Sequence, residues 1–168
     1  MKNLIVIGLL LLSSYSYAQG VSGPTGSKIS AADAQKVLDH HNMVRKEAGT
    51  PPLTWSNDLA AFAQQWADHL ASIGKMVHRP NNKYGENLFM GSGNYTPLDA
   101  SMDWYSEKNG YKYRKIDNDL SAGHYTQMIW YNTTQVGVGV AVAGNGDIYV
   151  VANYSPPGNY VGEFPYKR

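Results

Sequence analysis

From Ser30 to Gly49 the chain reads SAADAQKVLDHHNMVRKEAG, and Val37, Leu38, His41, Val44 and Ala48 recur on one face of a helical period. Ser30 can cap this helix, with Asp33 three residues on, and Gly49, Pro51 and Pro52 stop it. His41 lies on the apolar face, while His40 is a step round and is expected to be exposed. A second helix is predicted in WSNDLAAFAQQWADHLASIG, where Leu59, Ala63, Trp66, Leu70 and Ile73 step by four and three and Gly74 ends the pattern. Thr96-Pro97, a cap followed by a proline at the first helical position, opens a third helix that runs through Asp99 to Lys108. A short fourth helix is predicted around Thr126 to Trp130.

The last third changes period. In QVGVGVAVA, Val136, Val138, Val140 and Val142 share one face, and Gly137, Gly139, Ala141 and Ala143 share the other. The turn Gly144-Asn145-Gly146-Asp147 and the run Ile148 to Tyr154 complete a β-hairpin. A strand face of glycine and alanine lets a helix approach closely. GENLFMG, near Glu86, adds a third strand. Three or more strands with about four helices predict one α+β domain, its helices packed on the sheet, with no internal repeat.

The N-terminus adds a compartment. Lys2, the apolar run Leu4 to Leu12, and small residues Ser16 and Ala18 predict a secretory signal peptide over residues 1–18, cleaved after Ala18. The run is too short to span a bilayer. Residues 19–29, rich in glycine and serine, read as a flexible lead-in to a single domain over residues 30–168. Of 14 Lys plus Arg in the full chain, only Lys2 falls in the leader, so the mature chain balances its 13 Asp plus Glu. A neutral chain of this size argues against nucleic acid or an acidic membrane as its main partner. The chain has no cysteine, so an exported fold must be held by packing alone, and 13 tyrosines and four tryptophans suit that task.

HExxH, CxxC, GxSxG and phosphate-loop signatures are absent from the sequence. The glycines of GVGVAVAG lie within a strand rather than between a strand and a helix, so they do not make a dinucleotide fingerprint. Three triplets, beginning at Asn94, Asn132 and Asn153, fit the N-glycosylation sequon. What remains is a set of histidines and glutamates beside loops: His78 in MVHRP, Glu86 in YGENLF, Glu107 in DWYSEKNGY and His124 in GHYTQMIW. Two imidazoles and two carboxylates can bind a divalent metal or transfer protons, and each taken alone is more often structural.

GHYTQMIWYNT resembles the first signature of the CAP superfamily (cysteine-rich secretory proteins, antigen 5 and pathogenesis-related 1), and YVVANYSPPGNY resembles its second. HNMVR, residues 41–45, and GENL, residues 85–88, resemble its HNxxR and G[EQ]N elements, in the family's order. The match runs from about Ser30 to Tyr160, but Ala152 stands where the second signature usually has cysteine. Roles that need the disulfide-rich extensions of animal relatives are therefore not expected. The resemblance implies a three-layer α-β-α sandwich with a small, mainly antiparallel sheet. It also implies a surface cleft formed by His78, Glu86, Glu107 and His124, with a divalent cation, most often zinc, on the two histidines.

Three function classes follow, the third a purely structural or adhesive surface protein for which the cleft is a relic. The first is an exported binding or effector module for a small hydrophobic ligand (a sterol or lipid) or for an extracellular partner. The second is a metal-dependent or acid/base hydrolase with Glu86 or Glu107 as base. Arg45, bordering the packed face of the first helix, is expected to serve folding by reaching backbone carbonyls or a carboxylate.

Overall fold

The computed structural model describes residues 20–167. The predicted leader and its cleavage point lie outside the described residues. Helix α1, Ala31–Ala48, begins where the Ser30 hydroxyl accepts from the Asp33 N–H and ends at Gly49, whose φ of 74° suits a residue without a Cβ. A two-residue strand, β1 (Thr54–Trp55), leads to α2 (Asn57–Ile73), which Ser56 caps. Strand β2 (Gly85–Ser92) precedes α3 (Pro97–Ser106), whose start is a capping box between Thr96 and Asp99. A 3-10 turn, Glu107–Asn109, and the short helix α4, Gly123–Met128, lead into the hairpin of β3 (Gln135–Val142) and β4 (Asp147–Ser155). Helix α4 starts three residues before the predicted Thr126, because its first turn is capped from outside, as described below.

The sheet order is β1-β3-β4-β2. β4 pairs antiparallel with both β3 and β2, and only β1 runs parallel to its neighbour. One face carries Val136, Val138, Val150, Ala152 and Tyr154 against Val37, Leu38 and Val44 of α1, Trp104 of α3 and Met128 of α4. The other face carries Leu88, Ala141, Tyr149 and Val151 against Ala63, Ala67 and Leu70 of α2. The result is the three-layer α-β-α sandwich, with α2 alone on one side.

The glycine face does what its composition predicts. A Cβ on Gly137 would collide with the Ala60 backbone nitrogen, and one on Gly139 with the backbone of Gln64. The α2 backbone rests directly on β3, and this close seat rotates the helix relative to its sequence pattern. Ala60 and Ala67 are fully buried, while Ile73 is exposed. Small residues face the strand because only they fit there. His40 differs from expectation as well: it is half-buried, with Nδ1 2.8 Å from the Ser101 hydroxyl.

Candidate functional site

Edge strand β2 carries Glu86 and Asn87 in succession, so their side chains project to opposite sides of the sheet. On the α2 side, Glu86 Oε1 accepts from His78 Nδ1 at 2.7 Å and from the Arg79 N–H at 3.0 Å, and Oε2 accepts from Asn82 Nδ2 at 3.1 Å. The segment that brings His78 there is pinned to α2. Arg79 donates to the Phe62 carbonyl at 2.9 Å, and its guanidinium lies 3.6 Å over the Phe62 ring. The Trp66 indole donates to the Val77 carbonyl at 3.0 Å. The hydrogen bond from His78 to Glu86 raises the imidazole above its ordinary pKa, against the opposing pull of burial.

The second pair is built by a helix cap. Glu107 follows α3, and its Oε2 accepts from the backbone N–H groups of His124 (2.9 Å) and Tyr125 (3.1 Å), in the otherwise uncapped first turn of α4. Oε1 accepts from His124 Nδ1 at 2.6 Å. In both pairs the carboxylate is the more covered member and the imidazole the more open one: side-chain exposures are 5% and 68% for Glu86 and His78, and 22% and 32% for Glu107 and His124. Neither imidazole uses Nε2 in a hydrogen bond among the described residues.

The four predicted residues form two His–Glu pairs. Among the described residues, no group of three or more His, Cys, Asp or Glu side chains is placed to hold a metal ion. Behind the pairs lies a buried network that the sequence did not single out. Asn87 Nδ2 donates to the His124 carbonyl and to the Tyr154 hydroxyl, each at 3.1 Å. Tyr154 in turn meets His41 Nε2 at 2.9 Å, and His41 Nδ1 is 2.9 Å from the Val37 carbonyl. Because the Val37 carbonyl can only accept, His41 carries its proton on Nδ1, and Nε2 accepts from Tyr154. Burial holds His41 neutral, pushing its pKa down to about 3, and drives the Tyr154 phenol well above its ordinary value. Trp104 packs near both rings, 6.4 Å from His41 and 6.2 Å from His124 between centroids.

The rest of HNMVR is structural too. Asn42 pairs with both backbone polar groups of Leu53, at 3.1 and 2.7 Å. Arg45 is fully buried and gives its guanidinium to the carbonyls of Pro51 (2.5 Å), Met128, Trp130 and Thr133 (each 2.9 Å).

A model of the cysteine-rich secretory protein family, CAP, matches residues 38–154. The chain belongs to the CAP family. Pathogenesis-related protein 1A of Nicotiana tabacum is 43% identical over 138 residues, 79% of this chain and 80% of that protein. Golgi-associated plant pathogenesis-related protein 1 of Homo sapiens is 38% identical over 141 residues, covering 82% and 92% of the two chains. Among solved structures, NaASP2 with Zn2+ superposes with a TM-score of 0.74 at 25% identity over 83% of this chain and 87% of its own. The Hookworm Platelet Inhibitor, at 20% identity over 84% of this chain and 79% of its own, shares the fold with a TM-score of 0.71. The matched CAP region contains His41, Arg45, both His–Glu pairs and Asn87, and it ends at Tyr154.

Proposed function

We propose that this CAP protein is an exported binding module in which His78 and His124 hold a divalent cation through Nε2, in a cleft that also serves an extracellular ligand. The observation that carries this reading is the orientation of the two imidazoles. Each gives its Nδ1–H to an anchored carboxylate, at 2.7 and 2.6 Å, which fixes the neutral tautomer whose Nε2 lone pair faces away from the pair. The donor set suits an open site rather than a closed cage, since among the described residues no group of three or more His, Cys, Asp or Glu side chains is placed to hold a metal. Water would complete the coordination sphere and affinity would be modest. Imidazole donors favour zinc among common divalent ions, and the similar NaASP2 was crystallised with Zn2+.

The same geometry weighs against the hydrolase reading with Glu86 or Glu107 as base. Each carboxylate already accepts three donors, an arrangement that orients a histidine rather than one that takes a proton from water. A cavity of about 500 Å³ between α1 and α3, lined by Met43, Met102, Tyr105 and His40, supports a small hydrophobic ligand. Both methionines are exposed, and their flexible side chains adapt to varied apolar shapes. Export rests on the predicted leader, and among the described residues no helix is long and apolar enough to cross a membrane.

Zinc titration by calorimetry on wild type, His78→Ala and His124→Ala tests the cation site. Wild type should bind at pH 7.5 and lose affinity at pH 5.5, because protonated imidazole has no lone pair to give. Equal heats from all three proteins would remove the site. Mass spectrometry of molecules that co-purify with secreted protein tests the hydrophobic ligand.

A further inference from the structure

We infer that Asn87 is the positioning residue that sets the placement of the two His–Glu pairs relative to each other. The inference deepens the cation-site reading and rests on it. Each pair is internally fixed: His78 is tied to Glu86, and His124 to Glu107. A direct connection between them runs through one residue. Asn87 follows Glu86 on β2, so its backbone moves with the first pair, while its amide reaches across and donates to the backbone carbonyl of His124 at 3.1 Å.

The amide has no freedom to choose another arrangement. A carbonyl can only accept, so the NH2 end of Asn87 must face His124, and its second hydrogen goes to the Tyr154 oxygen at 3.1 Å. Tyr154, accepting there, donates to His41 Nε2 at 2.9 Å, and His41 passes its Nδ1–H to the Val37 carbonyl. The chain of bonds has a carbonyl at each end, His124 and Val37, with the Ser101 hydroxyl also 3.1 Å from His41 Nδ1, and the arrangement in which His41 donates from Nδ1 satisfies every link. All its side chains are buried: Asn87 is 1% exposed, and His41 and Tyr154 are 0%. A buried network with every link satisfied is stiff, because breaking any link strands a polar group away from water. Through it, the position of His124 is referred to helix α1 and strand β2 rather than to its own short helix alone.

The test uses the secreted full-length chain, free of metal, with imidazole and amide nitrogens followed by NMR. In wild type, His124 should show the Nδ1–H tautomer. In Asn87→Ala the His124 and Tyr125 amides and the His124 ring-nitrogen signals should shift, with the Nδ1–H tautomer that Glu107 holds retained, while the His78 ring stays unchanged. In a parallel zinc titration, Asn87→Ala should bind on the order of 10–100-fold more weakly, as expected for an outer-shell partner. A merely structural Asn87 would lower the melting temperature and leave the His124 ring and amide signals and zinc affinity as in wild type, and that result would overturn the inference. Asn87→Ser and Tyr154→Phe carry the same readouts if Asn87→Ala does not fold, each expected to shift His124 without His78. Wild type that ignores zinc would defeat the cation reading alone, since the ring and amide signals of metal-free His124 still decide the role of Asn87.

Discussion

Replacing Arg45 by methionine keeps most of the stem's volume and removes the guanidinium. The native guanidinium serves four carbonyls, those of Pro51, Met128, Trp130 and Thr133. Of these, only the Trp130 carbonyl has another backbone partner outside regular elements, the Thr133 N–H at 3.1 Å. Hydrogen bonds from a charged donor contribute about 1.5–3 kcal/mol each, so the four together stabilise by roughly 6 kcal/mol at the low end. Against this stands the burial of a cation whose hydrogen-bond partners are neutral carbonyls. Burial pushes its pKa down to about 10, which corresponds to a cost on the order of 3 kcal/mol. Arg45→Met relieves that cost and loses the bonds, for a net destabilisation of at least about 3 kcal/mol. For a domain of this size that is a fall of roughly 10 °C or more in melting temperature. Arg45→Lys should fall nearly as far, because three donors on one nitrogen cannot reach four diverging carbonyls. Calorimetric melting of the three proteins at neutral pH decides. A methionine variant melting within 2 °C of wild type would refute the reasoning, and unchanged melting with lost zinc binding would move Arg45 into the site.

Three further outcomes are expected. Gly139→Ala should destabilise by about 3 kcal/mol in urea unfolding, since the added Cβ meets the Gln64 backbone, which cannot swing aside. Stability should fall in acid through His41: its folded pKa of about 3 lies below the unfolded value near 6.5, so its contribution is full above 6.5 and is lost as pH drops toward 3, at up to about 1.4 kcal/mol per pH unit. His78, raised by Glu86, acts with the opposite sign and loses its contribution as pH rises through its raised pKa; urea midpoints at pH 7 and 5 should still drop for wild type and drop less for His41→Gln. Intact mass of secreted protein should place the N-terminus at Gln19, and a retained Met1 in exported material would contradict the leader.

The helices and the hairpin were legible because their signals are local: Ser30, Ser56 and Thr96 each cap the helix that follows them. Strand β1 was not, since two residues carry no periodicity and Thr54–Trp55 is a strand only because Gln135–Val136 lie beside it. Trp66 and Ile73 suggested the wrong edge of α2, as hydrophobicity ranked them above alanine while the glycine face admitted only alanine. Arg45 was readable as a fold residue from its place beside an apolar stripe. The pairing of Glu107 with His124 was not readable from spacing, and the family resemblance implied only that both residues share a cleft. Asn87 and Tyr154 lie in the matched motifs but had no readable role, because a polar residue on a strand looks solvent-facing until a partner from another layer, here His41, covers it.

The bare backbone of Gly137 and Gly139 has a consequence for a place neither residue touches. Thickness between layers is a shared dimension: wherever α2 sits above β3, the chain leaving its C-terminal end starts its descent to the sheet from that height. His78 leaves from there, four residues past Gly74, and must come within 2.7 Å of a carboxylate rooted in β2. A methyl group wedged under the middle of the helix would lift that starting point and stretch the reach of the connecting segment. The two glycines act as the shim that is left out, and the His78–Glu86 pair closes because nothing fills the gap beneath α2.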